Sequence, residues 1–413
     1  MGTVKSMSSY RVFVRASVVA IVIASIYDAQ PAIASNGLLM WCAGVQACGM
    51  AGAGVAMPGG ATATLRNPAA VARSPRQAGG ALAWMYMPMK AEALGPNANP
   101  VGRQKAGKRW FLAGASGYVH RLSPTVAVSV AVGAAGGFGT KYSEPRSALG
   151  AADPQDKFDT QNMYSLNLIP VTIAWAPRKD LAVGFSVIGG YSFFKANYLT
   201  ARGTRSKGGL GTSRAIGIGF RAGAIWDVHK KLSIGGAFSS PIWFDSFEKY
   251  NDLLRAPMNT PAIGQFGLAL RVLPRTSIAM DYRYIGYSHV TALGKALEAG
   301  GFGWDDVHQG FFGIEHKANA SLTLRTGMNY SSDVIDRDKI FANLGMPLTD
   351  TWTFAGGFSY RLNKHHEVGA SMHVVPARTR RDPGVGNPIS VGGANSNHFH
   401  KMMGGRMGYR YIF

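Results

Sequence analysis

The chain ends on GYRYIF, residues 408–413, in which Tyr409, Tyr411 and Phe413 occupy every second position. Successive side chains of a β-strand point to opposite faces, so this spacing places the three aromatic rings on one face of a last strand. The chain stops on the final ring. The ending therefore predicts a strand that turns an aromatic face outward, and it raises the question of what surrounds that face.

The same alternation recurs in thirteen segments upstream. Apolar residues take every second place, as in Ile216, Ile218 and Phe220, and the places between hold Gly, Ser, Thr or charged residues. Such a pattern is typical of strands with one apolar and one wet face. The fourteen segments are 81–90, 109–122, 125–139, 164–176, 181–194, 214–228, 231–244, 266–273, 276–290, 304–317, 322–333, 351–362, 366–375 and 399–413.

The connections between these segments alternate in length. The short turns APRKD (176–180) and LPRT (273–276) are each followed, one strand later, by a long loop, 199–213 and 291–303 respectively. Short turns on one side and long loops on the other are the signature of an outer-membrane barrel. A soluble β-sandwich would lack both this alternation and such long strands. The sequence predicts an all-β fold, a fourteen-stranded antiparallel transmembrane β-barrel over residues 78–413.

Residues 1–34 are predicted to be an export signal. Lys5, Arg11 and Arg15 form a basic start, the apolar run 16–27 has twelve residues, and PAIAS ends in small residues suited to cleavage. The run is short of the ~20 residues that span a bilayer. The predicted location is the bacterial outer membrane. The terminal aromatic pattern at Tyr409, Tyr411 and Phe413 also resembles the signal read by the barrel assembly machinery.

The chain is strongly basic. Loss of residues 1–34 removes three basic residues and one acidic residue, which lowers the formal net charge from +21 to +19. The basic residues are scattered through turns and loops instead of forming one stripe, so nucleic acid is not an expected partner. Anionic lipid head groups and lipopolysaccharide are candidate partners, and a generally basic surface is the alternative.

No catalytic, cofactor or metal motif is found. There is no G-x-S-x-G, and the glycine clusters do not fit the spacing of dinucleotide or P-loop sites. His398 and His400 would share one face of the last strand, but two histidines are a weak basis for a metal site. We expect neither enzymatic activity nor a cofactor. Cys42 and Cys48 are suited to a small disulfide in an exported protein, or remain free and buried.

Glycines interrupt the third strand. VGAAGGFG contains Gly133, Gly136, Gly137 and Gly139. Glycine inside a strand often marks a bend or a bulge, which in a barrel can open the wall. The alternative is that these glycines make room for packing against a plug.

Three features carry a resemblance to a known family. GAGVAMPGGATATLRNPAAVARSP includes the Asn67-Pro68-Ala69 step, MDYRYIGYSHV contains a D-Y-x-Y step, and the two hairpins of 304–335 and 348–376 agree in order and spacing. In these features the chain resembles the outer-membrane long-chain fatty-acid transporter family, which also includes aromatic-hydrocarbon uptake proteins. It departs from the family at Arg66, where an aromatic residue is common, and at Ala70, where glycine is.

The resemblance implies that residues 35–77 form a hatch that plugs the barrel lumen. It further implies passive transport of a hydrophobic ligand, a fatty acid or a hydrocarbon, which leaves sideways through a gap at a kinked third strand. We expect Gly136 and Gly137 to form the bend. Arg283 and Arg325 are candidate contacts for a ligand carboxylate. Asn67, Pro68 and Ala69 are expected to hold or shape the hatch.

Two other functions fit a barrel. A general porin for polar solutes would need a charged constriction and no plug. A structural or adhesive surface barrel would work through its loops. The first strand has methionine at every second position, Met85, Met87 and Met89. These side chains favour an apolar lumen if they point inward. A monomer is expected.

Overall fold

The computed structural model describes residues 37–413 except 95–100, 108, 143–159, 198–210, 298, 300, 347 and 349. Residues 1–34, the predicted export signal, lie outside the described part of the chain. No helix in the described residues is long and apolar enough to cross a membrane. The described residues form seventeen strand segments in one sheet. Three pairs of segments continue each other across a short irregularity. This gives fourteen barrel strands, which are called staves below.

The staves are numbered here β1 to β14, and a stave made of two segments has one number. They are β1 (Gln77–Tyr86 and Met89–Ala93), β2 (Val101–Lys105 and Trp110–Arg121), β3 (Val126–Tyr142), β4 (Thr160–Arg178), β5 (Leu181–Asn197), β6 (Ser213–His229), β7 (Leu232–Ser239 and Trp243–Phe244), β8 (Ile263–Leu273), β9 (Thr276–Ile285), β10 (Val307–Lys317), β11 (Leu322–Ser331), β12 (Trp352–Arg361), β13 (His366–Arg381) and β14 (Asn397–Ile412).

Each stave pairs antiparallel with its neighbours in the chain, and β1 closes the barrel against β14 from Gln77↔Ile412 to Tyr86↔Met403. Closure pairs the first strand with the last, which a bilayer requires because its interior offers no water to backbone groups; part of the β2–β3 seam, described below, is the exception among the described residues. The predicted fourteen-stranded antiparallel barrel is confirmed. Most predicted strand ends shift by a few residues, and two strands are interrupted or shortened: β7 breaks at 240–242, where Pro241 cannot donate to the ladder, and β9 ends at Ile285 instead of at 290.

The outer face of the barrel is apolar. Ile216 and Ile218 on β6 are 66% and 60% exposed, whereas the neighbouring Ala215 is buried. This is the alternation expected of strands with lipid on one side. All short turns lie at one end of the barrel together with Gln77 and Ile412, and the long loops lie at the other.

The N-terminal segment lies inside the barrel, and we call residues 37–76 the hatch. It contains helix α1 (Gly44–Gly49) and two 3-10 turns, Ala63–Leu65 and Pro68–Arg73. Small residues dominate it, and Ala51, Ala53, Val55, Ala69 and Ala70 are fully buried. A hatch therefore fills the lumen, and the barrel wall supplies the packing that this segment could not make alone.

The long-loop half of the lumen is filled by an apolar cluster. Side chains of β3 to β7 meet those of the loops, including Phe138, Tyr164, Phe194, Phe247 and Trp304. The long loops contain the short helices α2 (Asn251–Leu254), α3 (Thr291–Gly294) and α4 (Pro388–Gly392), with 3-10 turns at Glu248–Tyr250, Tyr287–His289, Arg337–Lys339 and Phe341–Asn343. The cluster therefore occupies the part of the lumen that an open channel would need.

Candidate ligand site and lateral gap

The third stave carries a β-bulge in the glycine-rich stretch. Against β4 the register passes from Ala134↔Asn167 to Gly136↔Leu166, which leaves Ala135 as an extra residue. A bulge bends its strand and increases the local twist. Gly133 and Gly136 flank the bulge, and Gly137 has φ +151°, which favours glycine.

The wall opens beside this bulge. β2 and β3 pair from Arg121↔Ala127 as far as Ala115↔Gly133, and no ladder pair follows in the described residues. The two staves meet again where the N–H of Gly107 donates to the carbonyl of Lys141 at 2.7 Å. Between these two points, no ladder pair of the described residues joins residues 110–114 to residues 134–140. We call this opening the lateral gap.

The start of the hatch lies along the inner side of the gap. The N–H of Gly137 donates to Leu38 and the N–H of Met40 donates to Ala135, both at 2.8 Å. These bonds satisfy backbone groups of β3 that β2 leaves without a partner. Gly136 is needed for this approach, because a Cβ there would lie 1.9 Å from the carbonyl oxygen of Leu38.

A central cavity lies between the hatch and the inner faces of β3, β4 and β6 to β9. Most of its lining is apolar, including Leu39, Met40, Trp41, Ala134 and Leu168. Mostly apolar walls with a few polar groups that converge on one space are typical of a small-molecule site. Three arginines, Arg66, Arg221 and Arg283, also line it, whereas no Asp or Glu among the described residues does.

Arg283 has a guanidinium group with spare donors. It projects from β9 and is 8% exposed. Its Nε donates to Gln309 at 2.5 Å, and its carbon Cζ lies 5.0 Å from the centre of the Phe311 ring. One of its terminal nitrogens is buried and has no hydrogen-bond partner. A buried donor without a partner is costly, so this group is suited to an anionic ligand.

Arg221 and Arg66 tie the cavity to the hatch. Arg221 on β6 donates to the carbonyls of Thr64 and Leu65 at 3.1 and 2.5 Å and to the hydroxyl of Ser239 at 2.5 Å. Arg66 donates to the carbonyl of Ala53 at 3.1 Å, and its Nε is buried without a partner. None of the three arginines has a carboxylate within 4 Å among the described residues. The cavity thus combines mostly apolar walls with three arginine side chains.

Arg325 lies in a different place. It lines a second cavity on the short-turn side of the hatch. Its Nε is 2.8 Å from Glu315, and a terminal nitrogen donates to Ser359 at 2.8 Å. In the same cavity Arg410 pairs with Glu367 at 2.6 Å. The structure therefore separates the two arginines that were predicted together, and it neutralises Arg325 within the protein.

A much smaller cavity, of about 10 Å³, lies between the central cavity and the lateral gap. It shares Met40, Cys42, Ala43 and Ala134 with the central cavity. The rest of its lining is Gly44, Ala81, Ala83, Ala113, Gly114, Ala115 and Arg406. Ala113 and Gly114 belong to the part of β2 that leaves β3, so we call this space the exit cavity.

The Asn67-Pro68-Ala69 step joins two parts of the hatch to the wall. The Asn67 amide donates to the carbonyls of Val55 at 2.9 Å and Ala224 at 3.3 Å, and its Oδ1 accepts from the N–H of Ala69 at 3.0 Å. Pro68 begins the second 3-10 turn. Asn67 therefore both shapes the hatch and attaches it to β6.

Cys42 and Cys48 form a disulfide that closes a seven-residue loop around α1. Cys42 lines the central and exit cavities, and Ala47 lies between the central cavity and the one at the short-turn end. The loop thus forms part of the partition between them.

The geometry agrees with a comparison to known families. Residues 32–380 match the family described as Outer membrane protein transport protein (OMPP1/FadL/TodX). The chain belongs to this family. It is an outer-membrane channel of the class that transports hydrophobic compounds. No curated protein sequence matches it.

Solved structures share the fold at low sequence identity. A FadL homologue of Pseudomonas aeruginosa has a TM-score of 0.68 and 14% identity, covering 91% of this chain and 100% of that one. The toluene transporter TodX of P. putida has 0.67 and 16%, covering 94% and 99%. The toluene transporter TbuX of Ralstonia pickettii has 0.63 and 18%, covering 90% and 98%.

Other predicted residues of this family member lie away from the central and exit cavities. Tyr409 and Tyr411 alternate with the inward Gly408 and Arg410, which places them on the outer face near the short turns. Phe413 is 49% exposed. His398 and His400 are both buried, and His400 hydrogen-bonds to Asp350. The described residues include no group of three or more His, Cys, Asp or Glu suited to a metal ion.

Sequence reasoning missed Arg221 and Arg406, although a signal was present. Arg221 follows Ile216, Ile218 and Phe220 with the opposite parity, and Arg406 has the opposite parity to Tyr409. In a barrel strand, opposite parity to the lipid-facing residues means a lumen-facing side chain. Met85, Met87 and Met89 are buried and point inward, which resolves their orientation.

Proposed function

We propose that this channel takes up an amphiphilic anion, a hydrophobic carboxylate such as a fatty acid, by passive diffusion. The observation that carries the proposal is the central cavity, with its apolar walls, the buried Arg221 and Arg283 and the partly buried Arg66. Apolar walls favour the tail by about 25 cal/mol per Å² kept from water. Guanidinium groups bind a carboxylate through charge-assisted hydrogen bonds.

The departure at Arg66 supports a charged head group. The resemblance to the fatty-acid transporter family includes an aromatic residue at this position as a common feature, and here a guanidinium lines the cavity instead. A neutral hydrocarbon would leave Arg66, Arg221 and Arg283 without an ion-pair partner within 4 Å among the described residues, since Asp281 acts on Arg66 and Arg283 only over a longer distance. Burying a cation without a close partner is energetically expensive. An anionic head group would supply that partner.

The route that we propose is lateral. A ligand in the central cavity reaches the exit cavity past Met40 and Ala134 and leaves into the bilayer through the lateral gap. The bulge at Ala135, with Gly136 and Gly137 beside it, produces that gap. Such a route keeps apolar surface away from water throughout. A porin for polar solutes is disfavoured because the hatch and the apolar cluster fill the lumen.

The remaining expectations complete the proposal. We expect residues 1–34 to be removed on export and residues 35–77 to act as the hatch. The chain is expected to have no catalytic activity or cofactor and to work as a monomer. Its terminal aromatics Tyr409, Tyr411 and Phe413 are suited to the barrel assembly machinery, and its basic loops to lipopolysaccharide phosphates.

The test is direct ligand analysis of the purified barrel. Mass spectrometry of molecules that co-purify should detect hydrophobic carboxylates at about one per chain or more. Added dodecanoate should then bind in competition with them, and dodecane of the same chain length should compete far less. Binding of dodecane with equal strength, or no binding of either, would reject the carboxylate as the ligand.

A further inference from the structure

Arg406 is a buried cation that the central site does not use. It projects inward from β14, is 4% exposed and has no carboxylate within 4 Å among the described residues. Its contacts are with neutral groups: a long hydrogen bond of 3.4 Å to Nδ1 of His373, and the Trp41 ring, whose centre lies 5.3 Å from Cζ. Arginine is almost never buried without a charged partner. A missing anion would account for this arrangement.

The position of Arg406 relates it to the lateral gap. It pairs across the sheet with Ala83 of β1, and Ala83 pairs with Ala113 of β2. Neighbouring strands lie about 4.8 Å apart, so Arg406 is roughly 10 Å from the β2 edge of the gap. Ala113 is two residues beyond the last β2–β3 pair, Ala115↔Gly133. Arg406 therefore lies level with the opening.

The side chains between Arg406 and the gap are small and apolar. Ala81, Ala83, Ala113, Gly114 and Ala115 line the exit cavity, which Arg406 itself also lines. Apart from the arginine, the lining consists of alanine, glycine, Met40 and Cys42. Arg406 is therefore a cation in an otherwise apolar lining, and no Asp or Glu among the described residues faces it there.

We propose that Arg406 forms a second anion subsite at the inner mouth of the gap, separate from the central arginines. It receives the carboxylate of an amphiphile whose tail enters the gap first. This inference rests on the proposed function, since it assigns a later position of the same ligand. The head group remains beside a cation while the tail moves into lipid, so it is not left unpaired in an apolar wall.

The subsite predicts where a bound head group lies. A dodecanoate that carries a diazirine near its carboxyl group is photolysed on the full-length protein in detergent, and the labelled residues are mapped by mass spectrometry. Two clusters of labels are expected. One contains central residues such as Leu39 and Leu168, and the other contains exit residues such as Ala113 and Gly114.

Arg406→Gln should lower labelling of the exit cluster by about tenfold, because hydrogen bonds to a charged group contribute that much or more. Labelling of the central cluster should persist, which shows that the barrel is folded. Arg406→Lys should retain most exit labelling. A matched probe with a neutral alcohol in place of the carboxyl group should label the exit cluster equally in wild type and Arg406→Gln.

Three other results would overturn the Arg406 subsite, and the last of them would overturn the proposed function as well. Labels confined to the central cluster in the wild type would overturn the Arg406 subsite and leave the proposed function intact. Exit labels that are unchanged in Arg406→Gln would also overturn it. Absence of carboxylate-dependent labels from both clusters would overturn the proposed function, and the subsite with it.

Discussion

Arg283 and Arg325 are both buried, lumen-facing arginines, yet the fold gives them different surroundings. Arg283 lines the apolar central cavity with a spare donor, whereas Arg325 is held by Glu315 at 2.8 Å on the short-turn side of the hatch. The residue type alone could not distinguish them. What distinguishes them is the side of the hatch on which each lies, and that depends on how forty residues fold inside the lumen.

Arg283→Gln should weaken dodecanoate binding about tenfold, because it removes charge-assisted hydrogen bonds to the carboxylate. Binding of dodecanol, which has the same tail, should change little. Arg325→Gln serves as the matched control and should leave the affinity for dodecanoate unchanged. Titration calorimetry on the purified proteins measures all three. A larger loss with Arg325→Gln than with Arg283→Gln would contradict the assignment of the central cavity.

Asn67 has two roles, shaping the hatch and attaching it to β6, and two substitutions separate them. Asn67→Ala removes the bonds to Val55, Ala224 and Ala69, and should lower the free energy of local hatch opening by roughly 1–3 kcal/mol. Asn67→Asp keeps an acceptor for the Ala69 N–H but loses both donated bonds. Hydrogen exchange of residues 55–73 measures the opening. Equal protection from hydrogen exchange in wild type and Asn67→Ala would show that the Asn67 side chain does not attach the hatch to the wall.

At the scale of elements, periodicity predicted the barrel well. Strands with lipid on one side alternate strictly, and turn chemistry marks their ends, so the count of fourteen and the order of short and long connections could be read from the sequence. The bulge was only indicated by glycines. Its position at Ala135 depends on the register with β4 and on where β2 leaves β3, which are long-range properties.

The packing of hatch against β3 depends on one glycine. Gly136→Ala places a Cβ where the Leu38 carbonyl now lies, 1.9 Å away, so residues 38–40 should detach from β3. Faster hydrogen exchange at Met40 and Gly137 is the expected result. Gly310→Ala is the control, because a Cβ there meets nothing within 4 Å. Unchanged exchange at Met40 in Gly136→Ala would mean that the hatch does not depend on this contact.

At the scale of the whole molecule, two separate parts of the chain fill the lumen. The hatch fills its middle, and the apolar cluster around Trp304 and Phe247 fills the long-loop half. Family membership and the signature of the barrel were accessible from sequence, because both rest on local patterns. The cationic cavity was not, since Arg66, Arg221 and Arg283 come from separate parts of the chain.

Purified protein in a planar bilayer should therefore show no stable open ionic conductance. Ions would have to cross apolar side chains that exclude water, which is unfavourable for any charged solute. Insertion is verified by protease treatment of the exposed loops. A steady conductance typical of open porins, with the hatch intact, would favour the general porin over a hydrophobic channel.

The most direct test of the lateral route removes the bulge. Deletion of Ala135 joins Ala134 to Gly136 in continuous register with β4 and allows β3 to pair further along β2, which should close the gap. Ala135→Gly keeps the residue count and is the matched control. Both variants must fold and bind dodecanoate in detergent, which separates exit from binding.

The measurement is the rate of dodecanoate uptake by cells that lack any other channel of this family. We predict that wild type and Ala135→Gly transport at similar rates, and that the deletion variant binds normally but loses at least nine-tenths of its uptake, about a tenfold change in rate or 1.4 kcal/mol. Uptake at the wild-type rate by a folded, ligand-binding deletion variant would contradict exit through the wall.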